Sequence, residues 1–416
     1  MSKTLEEIAQ QLSSPQVTRK AVTKETKQVP AKEVEEIKPV PKVQLIYAFN
    51  GTGKTRLSRA MKDLIAPKVE GEAAPARNKI LYYSAFTEDL FFWDNDLHGD
   101  GPPKLMIQPN SFTDWILGEQ GQEVNITRVF QHYSNATLTP TFNQAYSRNN
   151  PDGGTTEVKA FSEVTFTIEA GDDAKTEAFK ISKGEESTFI WSIFYALLET
   201  VVAELTIAEP AERSTDHFNA LEYVFIDDPV TSLDENHLIE LAVNLAALIT
   251  SAPPQLKFVI TTHSPLFYNV LHNELGMKTK SAKEGCYLLE RLEDGTFNLN
   301  TKYGDSNKSF SYHLHLRRIL EQAIAEDKVE RYHFTLLRNL YEKTAGFLGH
   351  NQWGDLLNSA SGSKEAYVRT INTFSHSSLS TEQVRDPTPQ EKQTVRFLLE
   401  NLINNYGYWK EDAENG

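Results

Sequence analysis

Cysteine is almost absent: Cys286 stands alone in 416 residues. A single cysteine forms no intrachain disulfide and no cysteine-bound metal site, and such usage fits a reducing compartment, with the cytoplasm as the expected location. Long apolar runs are missing too. No stretch of eighteen apolar residues occurs, and the opening MSKTLEEIAQQL has no signal-peptide core, so no segment is expected to enter a membrane. Positive charge is in deficit: 42 Lys and Arg against 57 Asp and Glu leave −15, which excludes holding nucleic acid or anionic lipid by bulk charge. What the chain does have is 39% hydrophobic residues against 24% charged ones, enough for a packed core, and a length that predicts two or three domains.

Residues 17–42 carry Lys, Glu and Thr with Pro30, Pro39 and Pro41, and predict a flexible tether behind a short N-terminal helix. Then a β-favouring run, Val43 to Tyr47, leads into Ala48-Phe49-Asn50-Gly51-Thr52-Gly53-Lys54-Thr55 and a helical pattern. Strand, glycine-rich loop and helix in this order build a phosphate-binding loop, its backbone N–H groups and helix N-terminus aimed at phosphates. Lys54 is expected on the β- and γ-phosphates and Thr55 on Mg²⁺. Ala48 replaces the usual first glycine, while Gly51 and Gly53 keep the crowded positions free. Far downstream, Tyr223-Val224-Phe225-Ile226-Asp227-Asp228 reads as a buried parallel strand ending in two carboxylates, where ligands bind in α/β sheets. Asp227 is the expected metal residue and Asp228 the expected orienter of the attacking water. A third apolar strand ends at His263, a γ-phosphate sensor in this company.

These motifs resemble soluble ABC-type ATPases related to the SMC and Rad50 proteins. That resemblance assigns Ser182 and Gly184, in Ile181-Ser182-Lys183-Gly184-Glu185, to a signature loop that caps the nucleotide of a second subunit. It therefore implies a nucleotide-sandwich homodimer or higher oligomer, with Ser232-Leu233-Asp234 as the D-loop. Lys183 and Glu185 depart from the commonest signature, and Asp228 stands where the family has Glu. A base one methylene shorter suits a slow switch. Only about 125 residues separate Thr55 from Ser182, and they read as short strands and turns without heptads, so no coiled-coil arm is expected.

Beyond about residue 300 the pattern becomes helical, over Leu316–Ala325, Val329–Leu348 and the stretch after Thr388-Pro389-Gln390-Glu391, a capping box with Pro at the first helical position. The segment 301–416 sums to about −1, leaving about −14 for the rest. Ahead of its first helix, Lys302 to His315 interleaves Tyr303, Phe310 and Tyr312 with polar and basic residues, as single-stranded RNA recognition does, although a structured polar loop has the same composition. Arg338 and Glu342 share a helix face at i and i+4, and His376 lies downstream; a surface salt bridge and a loop histidine would look the same. An Arg, a Glu and a His suffice for metal-independent RNA cleavage, with His and Glu moving protons and Arg stabilising the phosphorane.

The pairing of this ATPase with Lys302-Tyr303-Gly304-Asp305-Ser306-Asn307-Lys308 and with the stretch AFTEDLFFWDNDL at 85–97 is similar to the PrrC-type anticodon nucleases, a family of bacterial phage-exclusion tRNA nucleases. The resemblance implies an α/β ABC-type P-loop ATPase domain over 43–299 followed by an all-α, HEPN-like nuclease domain over 300–416. It implies catalysis by Arg338, Glu342 and His376, Asn372 as a polar partner, and tRNA contacts from Lys302, Tyr303, Asp305, Ser306, Asn307, Lys308 and His315. The implied reaction cuts tRNA-Lys 5′ to the wobble base, leaving a 2′,3′-cyclic phosphate and a 5′-hydroxyl. ATP or GTP with Mg²⁺, dTTP as a regulatory ligand, latency in a type I restriction–modification complex and release by a phage-encoded peptide complete the expectation. The rivals are an SMC-like DNA-binding ATPase without a nuclease centre, and a defence ATPase whose helical tail only docks an effector.

Overall fold

The computed structural model describes residues 2–21, 33–67, 79–94, 101–110, 113–149, 154–168, 178–229, 233–277, 285–292, 294–302, 312–375 and 386–408. The chain divides into two units, 1–305 and 306–416. The first begins with α1 (Leu5–Ser13), whose Thr4–Glu7 capping box starts the helix and whose Leu5, Ile8, Ala9 and Leu12 recur at helical spacing and are buried. An antiparallel ribbon of β1 (Gln16–Ala21) and β2 (Glu33–Lys38) follows, pairing Val17 with Ile37. This corrects the expectation of a tether throughout 17–42: two of its segments pair as strands.

Next come β3 (Val43–Tyr47), α2 (Lys54–Ile65), β4 (Ile80–Tyr83), α3 (Ala85–Glu88), β5 (Phe91–Asp94), β6 (Lys104–Ile107), α4 (Glu123–Tyr133), β7 (Leu138–Phe142), β8 (Tyr146–Asn149), β9 (Thr155–Val158), β10 (Glu163–Ile168), α5 (Lys183–Thr206), β11 (Tyr223–Asp227), α6 (Glu235–Ser251), β12 (Lys257–Thr262), α7 (Pro265–Glu274), β13 (Cys286–Arg291) and β14 (Phe297–Thr301). A six-stranded sheet runs β14-β13-β3-β12-β11-β4, parallel except for β14. The strand leading into the phosphate loop (β3) and the strand ending in Asp227 (β11) flank β12, so three strand ends converge on one edge of the sheet. A second, antiparallel sheet runs β5-β6-β10-β7. It was legible in the sequence only as separate short strands, and α4, with Ile126, Val129, Phe130 and Tyr133 buried, was not read from the sequence as a helix.

Between the sheets lies α5. Its Trp191 packs edge-on against Tyr83 of β4 at 5.0 Å, and its Phe189 against Phe166 of β10 at 5.1 Å. A helix apolar on every side is buried on every side. By length and composition α5 could cross a membrane, yet 78% of that stretch is buried inside the protein, as in a core helix.

The second unit is helical among the described residues: α8 (Tyr312–Ala325), α9 (Arg331–Phe347), a 3₁₀ segment over Trp353–Ser359, α10 (Lys364–Ser375) and α11 (Pro389–Asn405). Leu320, Phe334, Leu337, Ile371, Leu398 and Leu402 lie in one core. The Thr388–Glu391 capping box opens α11 as the sequence predicts. Tyr341 donates from inside the core to the carbonyl of Leu398 at 2.8 Å.

Candidate functional site

The phosphate loop turns on two glycines in left-handed backbone, Gly51 at φ 81° and Gly53 at φ 98°. A Cβ on Gly51 would meet nothing within 4 Å, so this face of the loop is open to a ligand. Lys54 is 7% exposed, and its ammonium donates to the carbonyls of Ala48 (3.2 Å) and Phe49 (3.3 Å) and to Asn50 Oδ1 (3.2 Å). It also pairs with Asp228 at 3.0 Å. Asn50 thus orients the lysine. Because β11 and β12 are in register, the Thr261 hydroxyl donates to Asp227 Oδ1 at 2.6 Å, while Thr55 donates to Oδ2 at 2.5 Å. Burial raises the Asp227 pKa above the ordinary carboxylate value, against the pull of those two hydroxyls.

Asp228 has a left-handed backbone, φ 50°, which Asp tolerates better than most residues. Its carboxylate accepts from the His263 amide at 3.0 Å and meets His263 Nδ1 at 2.7 Å. Burial pushes its pKa up, but the His263 hydrogen bond and the Lys54 charge outweigh this and hold it below the usual value. Asn50, Gly51, Gly53, Lys54, Thr55, Asp227, Asp228 and His263 therefore sit together around one strand edge.

Mg²⁺ fits this donor set. Thr55 and Asp227 offer hard oxygens in contact with each other, and Ser84 adds one that sequence reading missed. Tyr83 pairs with Ile226, so Ser84, the next residue, follows beside Asp227, and its hydroxyl is buried with no hydrogen-bond partner among the described residues. A serine at a strand end gives no signal in sequence. Thr55 and Asp227 would hold the ion, and the ion would neutralise phosphate charge there.

Ser182 is exposed and caps α5, its hydroxyl accepting from the Glu185 amide while Glu185 returns a bond to the Ser182 amide at 2.8 Å. Gly184 lies in the first turn of the same helix. Glu186, nearly buried, accepts from Trp93 Nε1 at 2.8 Å and pairs with Lys183 at 2.6 Å. Trp93 belongs to the 85–97 stretch, whose Glu88 accepts from Tyr83 at 3.0 Å, so that stretch bridges the sheet edge and the signature helix. Asp234 caps α6 through the amides of Asn236 and His237; Ser232 lies outside the described residues.

In the second unit Arg338 is the hub. Its Nε donates to Glu342 at 2.7 Å, and one terminal nitrogen donates to Asn372 Oδ1 and Ser375 Oγ, both at 3.2 Å. The guanidinium lies 5.8 Å over the Trp353 ring. The helix spacing gave Arg338 and Glu342; the clamp from α10 and Trp353 depends on tertiary packing. His376 directly follows Ser375 in the chain and lies outside the described residues. So do Tyr303, Asp305, Ser306, Asn307 and Lys308, and the His315 side chain. Lys302, expected to contact tRNA, is described: the side chain is 6% exposed, with its ammonium 4.8 Å over the Tyr268 ring inside the first unit.

A family model described as an AAA domain matches residues 160–403, more than half of the chain. A curated protein from Escherichia coli named "Anticodon nuclease" is 58% identical over 428 aligned positions, covering 100% of this chain and 100% of that protein. Among solved structures, the SMC head domain from Thermotoga maritima is 12% identical, covers 63% of this chain and 90% of its own, and has a TM-score of 0.26. An Smc head domain with a coiled coil and joint from Pyrococcus yayanosii is 13% identical at a TM-score of 0.25; the match covers 45% of this chain and 28% of that one.

Proposed function

Since the chain belongs to the anticodon nuclease family and carries an AAA-type P-loop ATPase domain, we propose that it is a nucleotide-gated anticodon nuclease that cleaves tRNA, with tRNA-Lys as substrate and the bond 5′ to the wobble base as target. The observation that carries the chemistry is the Arg338 cluster, in which a guanidinium is fixed by Glu342, Asn372 and Ser375 one residue before His376. The 2′-oxygen bonds to phosphorus as Glu342 takes its proton; the P–O5′ bond breaks and the leaving oxygen takes a proton from His376. Arg338 stabilises the charge that builds on the equatorial oxygens. The products are a 2′,3′-cyclic phosphate and a 5′-hydroxyl, and the nuclease centre, helical and HEPN-like, uses no metal.

The AAA domain implies nucleotide and Mg²⁺. ATP or GTP at Lys54 and Thr55 gates the nuclease, with dTTP as a regulatory ligand, and the exposed Ser182 and the half-buried Gly184 of one copy cap the nucleotide of another in a homodimer. Latency within a type I restriction–modification complex and release by a phage-encoded peptide complete the proposed cycle.

Purified, nucleotide-activated protein should cut tRNA in EDTA and leave fragments whose ends sequence as 5′-hydroxyl and 2′,3′-cyclic phosphate. Changing Glu342→Gln or His376→Ala should slow cleavage by about 10²–10⁴. Undiminished cutting by His376→Ala would remove that residue from the mechanism, and intact tRNA with active wild-type ATPase would sink the assignment.

A further inference from the structure

A cleft of about 870 Å³ opens in the second unit directly beside the Arg338 cluster. Glu342 and Asn372, both bonded to Arg338, form part of its wall, so a ligand in the cleft reaches the catalytic guanidinium's own partners. The half-buried Trp353 lines it, and the amides of Asn351 and Gln352 stand next to that indole in the chain. On the far wall α10 presents Lys364, Val368 and Asn372 at intervals of four residues, which puts Lys364 about 12 Å along the cleft from Asn372. Lys364 is held against Asp355 at 3.1 Å. Arg369, exposed at the lip, has no ion-pair partner among the described residues, unlike Arg317 and Arg338, each paired with a glutamate one turn on. Glu365, on the same wall, accepts from its neighbour Ser363 at 2.9 Å.

An indole for stacking, amides for base edges and an exposed guanidinium at the rim are the chemistry of a single-stranded ribonucleotide site. We propose that this cleft is a binding subsite for the RNA next to the scissile phosphate, in which Trp353 stacks a base and Arg369 holds a backbone phosphate; the proposal rests on the nuclease assignment above. Sequence reading placed RNA contacts only upstream, around residues 302–315. The cleft is lined by other residues, from α9, the 3₁₀ segment and α10.

The test uses the full chain with activating nucleotide and an anticodon stem–loop RNA carrying a 2′-deoxy residue at the cleavage position and 2-aminopurine beside it. Wild type should bind this RNA and quench the 2-aminopurine. Trp353→Leu should leave the probe bright and weaken binding about tenfold. Arg369→Gln, a surface change that does not touch the Arg338 clamp, should weaken binding about fivefold and lower the salt slope by roughly 0.7. Cleavage of the all-ribose RNA by wild type, together with wild-type affinity, quenching and salt slope in both variants, would overturn the cleft and spare the nuclease. Failure of wild type to bind or cut the stem–loop would remove the nuclease assignment, and the cleft would fall with it.

Discussion

Asp227 and Asp228 are neighbours with opposite acidities, and the difference is one of partners. Both are desolvated and both feel the Lys54 charge, but only Asp228 has His263 bonded to it, and the Asp228 charge in turn raises Asp227. For Asp227 the folded pKa lies above the unfolded value, so between those two pKa values the native state binds more protons and stability falls as pH rises. At neutral pH the ionised carboxylate therefore costs stability. Asp227→Asn should raise the melting temperature, because Thr55 and Thr261 can bond an amide, and abolish Mg²⁺-dependent hydrolysis. A fall in melting temperature would contradict the assignment of that cost. Asp228→Asn keeps a residue type tolerant of φ 50° while removing the charge against Lys54. Hydrolysis should drop about 10²–10⁴ with nucleotide binding at least as tight, readable by phosphate release beside a fluorescent-nucleotide titration. At this scale the sequence was informative wherever one motif held both the residue and its reason. It was silent on Ser84 and on the threonines of β12 as partners of Asp227 and Asp228, because those pairings cross strands.

Helix α9 carries the proposed nuclease pair on one face and a buried histidine on another. His333 completes a capping box with Glu330, its Nδ1 accepting the Glu330 amide at 2.8 Å. Burial lowers its pKa below the ordinary 6.5. His313 on α8 is also lowered, by burial and then by the Lys343 charge. Both contributions are in place above pH 6.5 and are lost as pH falls from there toward the folded values, since the unfolded chain takes up the proton first. Melting of the second unit followed from pH 8 to pH 5 should show this decline. His333→Gln keeps a cap acceptor without a titrating ring, and should flatten the decline about by half. An unchanged slope would mean that other groups carry it. Elements with a local cause, such as α1, α11 and the helix after the phosphate loop, could be read from spacing and caps. The β1–β2 ribbon could not, because its partners are separated by residues of linker-like composition.

For the whole molecule, about −14 of the chain's −15 resides in the first unit, while the proposed RNA-handling segment is close to neutral. In the proposed reading the acid and the substrate are kept on different parts of the chain, and recognition would fall to local groups such as Trp353 and Arg369. The proposed sandwich needs the exposed Ser182 to face a second copy. Ser182→Arg should leave the monomer folded, at about 1 kcal/mol for the lost cap, and prevent dimer formation in ATP or GTP as measured by light scattering; a dimer that survives would rule out this interface. By itself the sequence determined the phosphate loop, the carboxylate strand, the histidine strand and the i, i+4 pair of Arg338 and Glu342, because each is a contiguous stretch whose chemistry is set by spacing along the backbone. Tertiary structure alone decided that α5 is a core helix between two sheets, that Lys302 is enclosed, and that Asn372, Ser375 and Trp353 converge on Arg338. Those contacts join residues far apart in the chain, and packing the helices against one another is what brings them together.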